Sequence, residues 1–338
     1  MPRPQAFGLM LLAATLNLHA TSPTLDSIRS NHELICGIDQ SEAEFSMTDE
    51  HGSRVNFDHD VCNAVAAAIL GKSYRVIVKG YPDEDTALKS LRAHEIDMVA
   101  SVSDDFTHNA GPGVRLSHPI LFDWQAFMVP RTARIKRGSQ LAGKKICFLA
   151  ETEAEVNVRS WFNQRHLNFV PFPFQEEGEM EAAFVTGNCS ALCGDATRLA
   201  NTRVAINRPS QDYVILSDLV GLDPLASACR SDDPEFGNII DWTIEVLLLA
   251  EEKGVTKQNL GQALASGDPA TMRLLDRTHA LGRPLDLDDR WTERVIEAVG
   301  NYGEIFQRDV GRDSLLGLPR NQNALRIHGG LMQGLPLK

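Results

Sequence analysis

The sequence predicts an α/β fold built as two lobes. Short apolar runs alternate with amphipathic, helix-like segments from residue 34 to residue 100, an order that favours a parallel sheet. A second alternating series begins at Lys145. The segment between the two series, residues 126–130, is apolar and precedes Arg131 and Arg134, so we interpret it as a crossing between lobes. With 338 residues, 43% of them hydrophobic, the chain is long enough for a core in each lobe.

The first series contains three predicted strands and two predicted helices. Apolar positions 61, 65, 66, 69 and 70 recur with helical spacing before Gly71, which predicts a helix over residues 58–70. The strands span residues 34–38, 74–78 and 96–100, and the second helix spans 86–93. Because ligands of parallel sheets bind beyond the carboxyl ends of the strands, the loops after these strands are candidate binding loops.

The second series has the same character and ends in a return to the first lobe. Residues 225–230 are the expected return crossing, and residues 234–253 form a periodic helix closed by Gly254. Residues 255–289 contain no clear strand. The remaining predicted elements are strands at residues 145–149, 188–194 and 213–216, and helices at residues 157–164 and 291–299.

The charge and the N-terminus limit the function classes. A net charge of −12 argues against nucleic acid as a partner. Residues 1–20 predict a secretory signal peptide, because Arg3 precedes a mostly apolar stretch at 7–16 and Ala20 could precede the cleavage site. A disordered or mitochondria-like leader is the alternative. Cleavage would place the mature chain in the periplasm, and no later apolar run reaches the roughly 18 residues of a membrane helix.

Six cysteines follow the predicted signal peptide. An even number in an exported protein suggests disulfides, but six cysteines allow 15 pairings, so this reasoning leaves the connectivity open. Metal binding is the alternative; no CxxC motif and no regular histidine spacing supports it. The candidates are Cys36, Cys62, Cys147, Cys189, Cys193 and Cys229.

Two distant segments carry a family resemblance. ELICG at residues 33–37 leads to NFDHDVCNAVAAA at 56–68, and VGNYGEIFQRDVG occupies 299–311. Further matching stretches are QAFMVP at 125–130, DWTI at 241–244 and EEKGVT at 251–256. In this order and spacing, the segments resemble the general L-amino-acid-binding proteins of ABC importers, a branch of the family 3 periplasmic solute-binding proteins. The resemblance covers residues 24–326.

The resemblance implies a two-lobed type II periplasmic binding protein whose two crossing strands form a hinge. Such a protein closes around a small polar solute, an amino acid or related amine, and delivers it to an ABC permease in the inner membrane. It implies a monomeric binding protein that is no enzyme and needs no cofactor or metal. The expected division is lobe 1 at 24–128, lobe 2 at 129–225, lobe 1 again at 226–326 with a helical extension, and a tail at 327–338.

The resemblance also implies a disulfide pattern. It favours Cys36 with Cys62 and Cys147 with Cys189, each pair within one lobe. That leaves Cys193 to pair with Cys229, which would tie the strand before Asp195 to the return crossing.

The family's position for the carboxylate that holds the ligand ammonium is matched by Asp195. The alternative role of Asp195 is an N-cap for the helix that follows. Phe45, in the loop after the first strand, matches an aromatic or apolar wall of the ligand site, or it belongs to the core.

The arginine that binds a ligand carboxylate in the family is absent here. Asn109 occupies its position, in the run 103–109 that also supplies Ser103 and Thr107 as candidate ligand contacts. A neutral amide cannot replace the charged fork of an arginine. Arg115 is the nearest substitute, and a surface ion pair is its alternative role.

Two further positions replace neutral groups by acids. Asp104 stands where the family has a threonine, and Glu151 stands at a glycine of the turn that presents backbone donors, next to the retained Thr152. Carboxylates at a helix N-terminus compete for the donors that a ligand anion would use. We therefore expect an acidic cleft whose ligand is cationic or lacks a free α-carboxylate, such as a polyamine or an amino amide.

Two other function classes stay open. Loss of the arginine also fits a sensor or degenerate scaffold that binds a partner protein. A periplasmic dehydratase-like enzyme on the same fold would use a cleft acid to protonate a leaving hydroxyl, with Asp104, Glu151 and His108 as candidates.

Overall fold

The computed structural model describes residues 22–40, 47–48, 54–206, 212–275 and 281–337. The predicted signal peptide and Phe45 lie outside these residues. Within the described residues, eleven strands form: β1 Leu34–Asp39, β2 Met47–Thr48, β3 Arg54–Val55, β4 Val76–Tyr81, β5 Met98–Ser103, β6 Val114–Pro130, β7 Lys145–Leu149, β8 Val170–Phe174, β9 Ala191–Asp195, β10 Tyr213–Ile215 and β11 Gly221–Arg230.

Helices lie between most of these strands and dominate the C-terminal third. Within the same residues they are α1 Pro23–Asn31, α2 Phe57–Leu70, α3 Glu84–Arg92, α4 Phe106–Ala110, α5 Glu153–Gln164, α6 Glu177–Val185, α7 Ala196–Ala205, α8 Pro234–Glu252, α9 Leu260–Ala265, α10 Pro269–Leu274, α11 Trp291–Val299 and α12 Tyr302–Asp309.

The sheet order separates two parallel groups. The order is β4-β1-β5-β11-β6-β9-β7-β8, with β10 on β6. β1 pairs in parallel with β4 and β5, and β7 pairs in parallel with β8 and β9. The long antiparallel strands β6 and β11 lie between these groups, which is the arrangement expected of a two-lobed protein with two crossing strands.

β6 passes from one lobe to the other along its 17 residues. Its first part pairs with β11, from Val114 opposite Arg230 to Gln125 opposite Gly221. From Gln125 onward it pairs with β9 and then with β10. The change of partner at Gln125 places the cleft floor where the two crossing strands run side by side.

Local sequence explains the helices around this floor. The Asn56 side chain caps α2 by accepting from the His59 backbone N–H at 2.8 Å, and Gly71 ends the helix at a φ of 72°. Glycine adopts such a φ without a Cβ clash. The predicted helix over 58–70 is therefore confirmed within one residue at its start.

Strand β8 and helix α6 were not predicted. The sequence of β8 is VPFPF. Because proline has no backbone N–H to donate to a neighbouring strand, this sequence does not predict a strand. β8 lies at the end of the sheet order, which is where prolines are tolerated in strands.

The last residues pack against lobe one. Leu325 and Met332 are buried, and the Gly334 and Leu335 N–H groups donate to Glu252 and Glu245 of α8 at 2.9 and 2.5 Å. The segment predicted as an unmatched tail is thus part of the lobe-one packing over its described residues.

Two of the three expected disulfides are present. Cys36 bonds Cys62, and Cys147 bonds Cys189. The third pairing is wrong, because Cys193 and Cys229 are free and buried.

The register of β6 explains why these two thiols do not meet. Cys193 lies opposite Phe127 of β6, and Cys229 lies opposite Arg115 of the same strand. At about 3.3 Å per residue, these positions lie on the order of 40 Å apart along the strand. A disulfide requires Cα atoms within about 7 Å.

Among the helices of the described residues, none has both the length and the apolar character required to cross a membrane.

Candidate functional site

A cavity of about 490 Å³, here called the first cavity, lies where the crossing strands meet the lobes. Lobe one contributes β1, α3 and β5, the crossing strands contribute Asp123 and Asp223, and lobe two contributes α6 and α7. Among its described lining residues Arg198 is the single basic side chain. Eight acidic side chains also line it: Asp39, Asp83, Glu84, Asp123, Glu177, Glu181, Asp195 and Asp223.

A second cavity, of about 430 Å³, adjoins the first. Among the described residues, Arg198 is again the single basic side chain in its lining. The two cavities share six lining residues: Ser103, Glu177, Asp195, Arg198, Thr202 and Asp223.

Asp195 lies at the junction of both cavities. It is the last residue of β9 and immediately precedes α7. Although it occupies the N-cap position, its side chain makes no capping hydrogen bond to the described backbone of α7. The alternative role of a side-chain cap therefore does not account for its carboxylate, which lines the cleft.

Asp123 is buried on the cleft floor. It lies directly opposite Asp223 in the β6–β11 register. The Trp124 N–H donates to it at 2.7 Å, and the Thr197 hydroxyl donates to its other oxygen. Burial, followed by the charge of Asp195, raises the pKa of Asp123 well above its ordinary value of 3.8.

Asp223 has a similar electrostatic environment. Burial and then the Asp195 charge raise the pKa of Asp223 from 3.8 to about 7, although a hydrogen bond from Ser103 opposes the shift. Like charges opposite each other in a sheet are unfavourable. The floor therefore favours either a retained proton or an incoming cation.

Ser103 bridges two of the carboxyl groups. Its hydroxyl oxygen lies 3.2 Å from Glu84 and 3.1 Å from Asp223. A hydroxyl has one proton, so it donates to only one of these acceptors at a time. Burial also raises the pKa of Glu84, and a proton on either carboxyl group would supply the second hydrogen bond.

The one basic side chain among the described lining residues, Arg198, is already paired. Arg198 lies in the first turn of α7, and its Nη1 donates to Glu177 of α6 at 2.9 Å. A ligand carboxylate would have to share this guanidinium with Glu177.

The structure brings four sequence-predicted residues together in the second cavity. Ser103, Asp104, Thr152 and Asp195 all line it. Asn109 and Thr107 lie exposed on α4 and line neither cavity, and the Asn109 amide donates to Asp104.

Arg115 is held away from the cleft. Its guanidinium donates to Asp241 at 2.7 Å, to Asn238 at 3.0 Å and to the Pro234 carbonyl at 2.6 Å, all at the start of α8. It lines neither cavity, so its placement corresponds to the ion-pair alternative and not to a carboxylate clamp.

Glu151 takes a glycine-like conformation outside both cavities. Its φ is 61°, a region that glycine occupies more readily. Its backbone N–H donates to the Glu155 carboxylate at 3.0 Å. An acid of the protein itself therefore already occupies this backbone donor.

The sequence reasoning did not identify Asp123, Asp223 or Glu84. Asp123 had a usable signal, because it interrupts the apolar run from Leu121 to Trp124. A carboxylate inside a buried strand is rare unless it is paired or functional.

Comparison with known proteins places the chain in a family, although no protein-family model matches it. It is 32% identical over 340 residues to the glutamate/glutamine/aspartate/asparagine-binding protein BztA of Rhodobacter capsulatus, covering all of both chains. It is 30% identical to the general L-amino acid-binding periplasmic protein AapJ of Rhizobium johnstonii, covering 98% of each chain.

A solved structure agrees with these relatives. The ABC transporter periplasmic binding protein from Brucella ovis with glutathione bound is 31% identical, with a TM-score of 0.80, and the match covers 93% of this chain and 98% of that one. Two α/β lobes joined by crossing strands around a polar cleft define a solute-binding protein. The chain belongs to the family of substrate-binding proteins of amino-acid ABC transporters, which confirms the family and fold that the sequence predicted.

Proposed function

We propose that this protein captures a solute that carries a cationic amine and no free α-carboxylate near that amine. The two lobes close around the solute and present it to an ABC permease. The observation that carries the proposal is the charge of the first cavity, whose described lining has eight acidic side chains and one guanidinium.

The physical basis is a repulsion that a cation relieves. Asp195, Asp123 and Asp223 meet at the floor, and burial keeps solvent from screening their charges fully. An ammonium group at Asp195 would attract all three carboxyl groups and favour their ionised forms. A ligand carboxylate in the same place would add to the repulsion.

The relatives' ligands set the rival expectation. The Rhodobacter relative is named for binding glutamate, glutamine, aspartate and asparagine, and the Brucella protein holds glutathione. All of these carry carboxylates. Among the described residues of this cleft, only Arg198 can pair with a ligand carboxylate. Its guanidinium already donates to Glu177.

Location and assembly are part of the same proposal. The predicted signal peptide at residues 1–20 and a relative that is named periplasmic support release into the periplasm. We expect a monomer that meets its permease only through lobe surfaces.

We further propose binding without turnover. Carboxyl groups with raised pKa values suit a general acid. The relatives above are nevertheless named as binding proteins. Mass spectrometry of a bound amine after prolonged incubation should recover it unchanged; a dehydrated product would favour the enzyme alternative.

A thermal-shift screen with matched ligands tests the proposal. Ligand that binds only the folded state raises the melting temperature. The oxidised mature protein is first freed of copurified ligand by unfolding and refolding without reductant. It is then screened with amino acids, the corresponding amino amides, polyamines and small hydroxy acids.

Two variants make the screen specific. Asp195→Asn should abolish the shift with amines, because it removes the junction carboxylate. Asp232→Asn removes the same charge from an exposed turn outside both cavities and should leave the shift unchanged. A best shift with a free amino acid, retained in Asp195→Asn, would overturn the proposal, and no shift with any solute would favour the scaffold alternative.

A further inference from the structure

We infer that the solute is a peptide-like amine longer than one amino acid, with its ammonium in the first cavity and an apolar, amide-bearing body in the second. This inference rests on the proposed function and names the size and shape of its ligand class.

The two cavities are parts of one elongated cleft. They share Asp195, Asp223 and Arg198 among their lining residues, so a ligand at this junction can reach both. Their volumes are about 490 and 430 Å³. Each volume alone lies within the roughly 300–1,000 Å³ range of small-molecule sites, and the shared lining residues join the two spaces into one cleft longer than either cavity.

The two ends of this cleft differ in chemistry. The first cavity is dominated by carboxyl groups, as described above. The second cavity has acidic side chains of its own, Asp104, Asp105 and Glu153, but it also contains uncharged hydrogen-bonding side chains, such as Gln125 and Asn157, and an apolar surface. The apolar members are Leu149, Ala154, Met180, Leu199, Leu222 and Pro224.

Leu222 is an apolar side chain left partly in solvent inside the cleft. It is 38% exposed, although it lies on a crossing strand and lines the second cavity. Covering it would remove apolar surface from water, which favours a ligand whose apolar part reaches it.

The polar pair suits amide groups of the ligand. Asn157 donates to Gln125 at 2.8 Å, which leaves further donor and acceptor capacity on both side chains. A peptide backbone offers matching N–H and C=O groups. A fully charged polyamine has no acceptors for these donors and would leave the apolar wall uncovered.

A length series tests this inference by calorimetric titration of the ligand-free protein. The probes are leucinamide, leucyl-leucinamide and leucyl-leucyl-leucinamide, which share one ammonium group and one neutral end. We expect the affinity to rise at least about tenfold from the first to the second probe, because the second residue reaches the second cavity.

A pair of leucine variants locates the effect. Leu222→Asn should remove most of the gain of the longer amides and leave leucinamide unchanged. Leu219→Asn is the matched control, since Leu219 is 44% exposed and lines neither cavity.

The outcomes separate the inference from the proposed function. Equal affinities for all three amides, or binding of leucinamide alone, would overturn the inference and leave amine capture standing. Loss of length dependence in Leu219→Asn as well as in Leu222→Asn would also contradict it. Failure of every amide to bind would overturn the proposed function, and the inference with it.

Discussion

The side chain of Asn323 substitutes for a neighbouring strand at Phe122. Its oxygen accepts from the Phe122 N–H at 2.7 Å, and its amide donates to the Phe122 carbonyl at 2.9 Å. Asn323 is fully buried. The Arg320 guanidinium donates to the Asn323 backbone carbonyl and also forms an ion pair with Glu251. Phe122 directly precedes Asp123, so the C-terminal segment fixes the strand that carries the cleft floor.

Replacing Asn323 should therefore affect both stability and binding. Asn323→Ala removes the partner of the partly buried N–H and C=O groups of Phe122, which costs up to about 1–3 kcal/mol for each group. We expect chemical denaturation to show the loss, and calorimetry to show weaker amine binding because Asp123 is no longer held. Gln333→Ala, an exposed amide in the same segment, serves as the control; a stability loss with unchanged affinity would restrict Asn323 to a structural role.

The stability of the ligand-free protein should fall as the pH rises from about 4 to about 7. The pKa of Asp223 is raised from 3.8 to about 7, so the folded state holds a proton that the unfolded state has released in this window. A raised pKa stabilises the fold at low pH, and this contribution is lost as the pH rises through the folded-state value. Urea denaturation at pH 5 and pH 8 measures the difference.

Asp195→Asn should flatten this dependence. The Asp195 charge is a cause of the raised pKa of both Asp123 and Asp223. Its removal lowers both values, and we expect the loss of stability between pH 5 and pH 8 to shrink by about 1–2 kcal/mol after allowance for solvent screening. An unchanged slope would show that Asp195 does not act on these carboxyl groups.

Amine binding should release protons. A cation favours the ionised forms of Asp223 and Glu84, which share the Ser103 hydroxyl. The affinity for an amine should rise by up to about tenfold per pH unit between pH 5 and pH 7 for each proton released. Calorimetry in two buffers of different ionisation enthalpy counts these protons, and an identical binding enthalpy in both would contradict the mechanism.

Thiol titration of the unfolded, unreduced protein should find two free thiols. Cys193 and Cys229 are the free pair, and the other four cysteines form two disulfides. Converting both free cysteines to serine should leave the disulfide map by mass spectrometry unchanged. Finding no free thiol would show that Cys193 and Cys229 form a third disulfide.

Arg115 should contribute to stability and not to binding. Arg115→Gln breaks the contacts with Asp241 and Asn238, and we expect a stability loss of about 1 kcal/mol for a partly exposed pair. Calorimetric affinity for the best amine should stay within error of the unmodified protein. A large loss of affinity would show that Arg115 contributes to the ligand site.

The sequence predicted the two lobes and the ligand-site position of Asp195, but it did not predict the carboxyl groups of the cleft floor. Apolar periodicity placed α11, which buries one face, and also α2 and α8, which are buried on most sides. The family position of Asp195 pointed to the cavity junction. Asp123 and Asp223 meet only through the register of β6 with β11, which joins residues 100 positions apart and leaves no local pattern. Arg115 was a candidate because it is the nearest arginine to the missing one, with an ion pair as its alternative role. Helix α8 supplies the partners that hold it in that second role.

The most direct test of the account is a titration of the ligand-free protein with leucine and with leucinamide at pH 7. The two compounds have the same ammonium and side chain and differ only at the carboxylate. The acidic cleft predicts that leucinamide binds at least about tenfold more tightly, a difference of about 1.4 kcal/mol. Equal binding, or tighter binding of leucine, would contradict the claim that this cleft selects an amine without a free α-carboxylate.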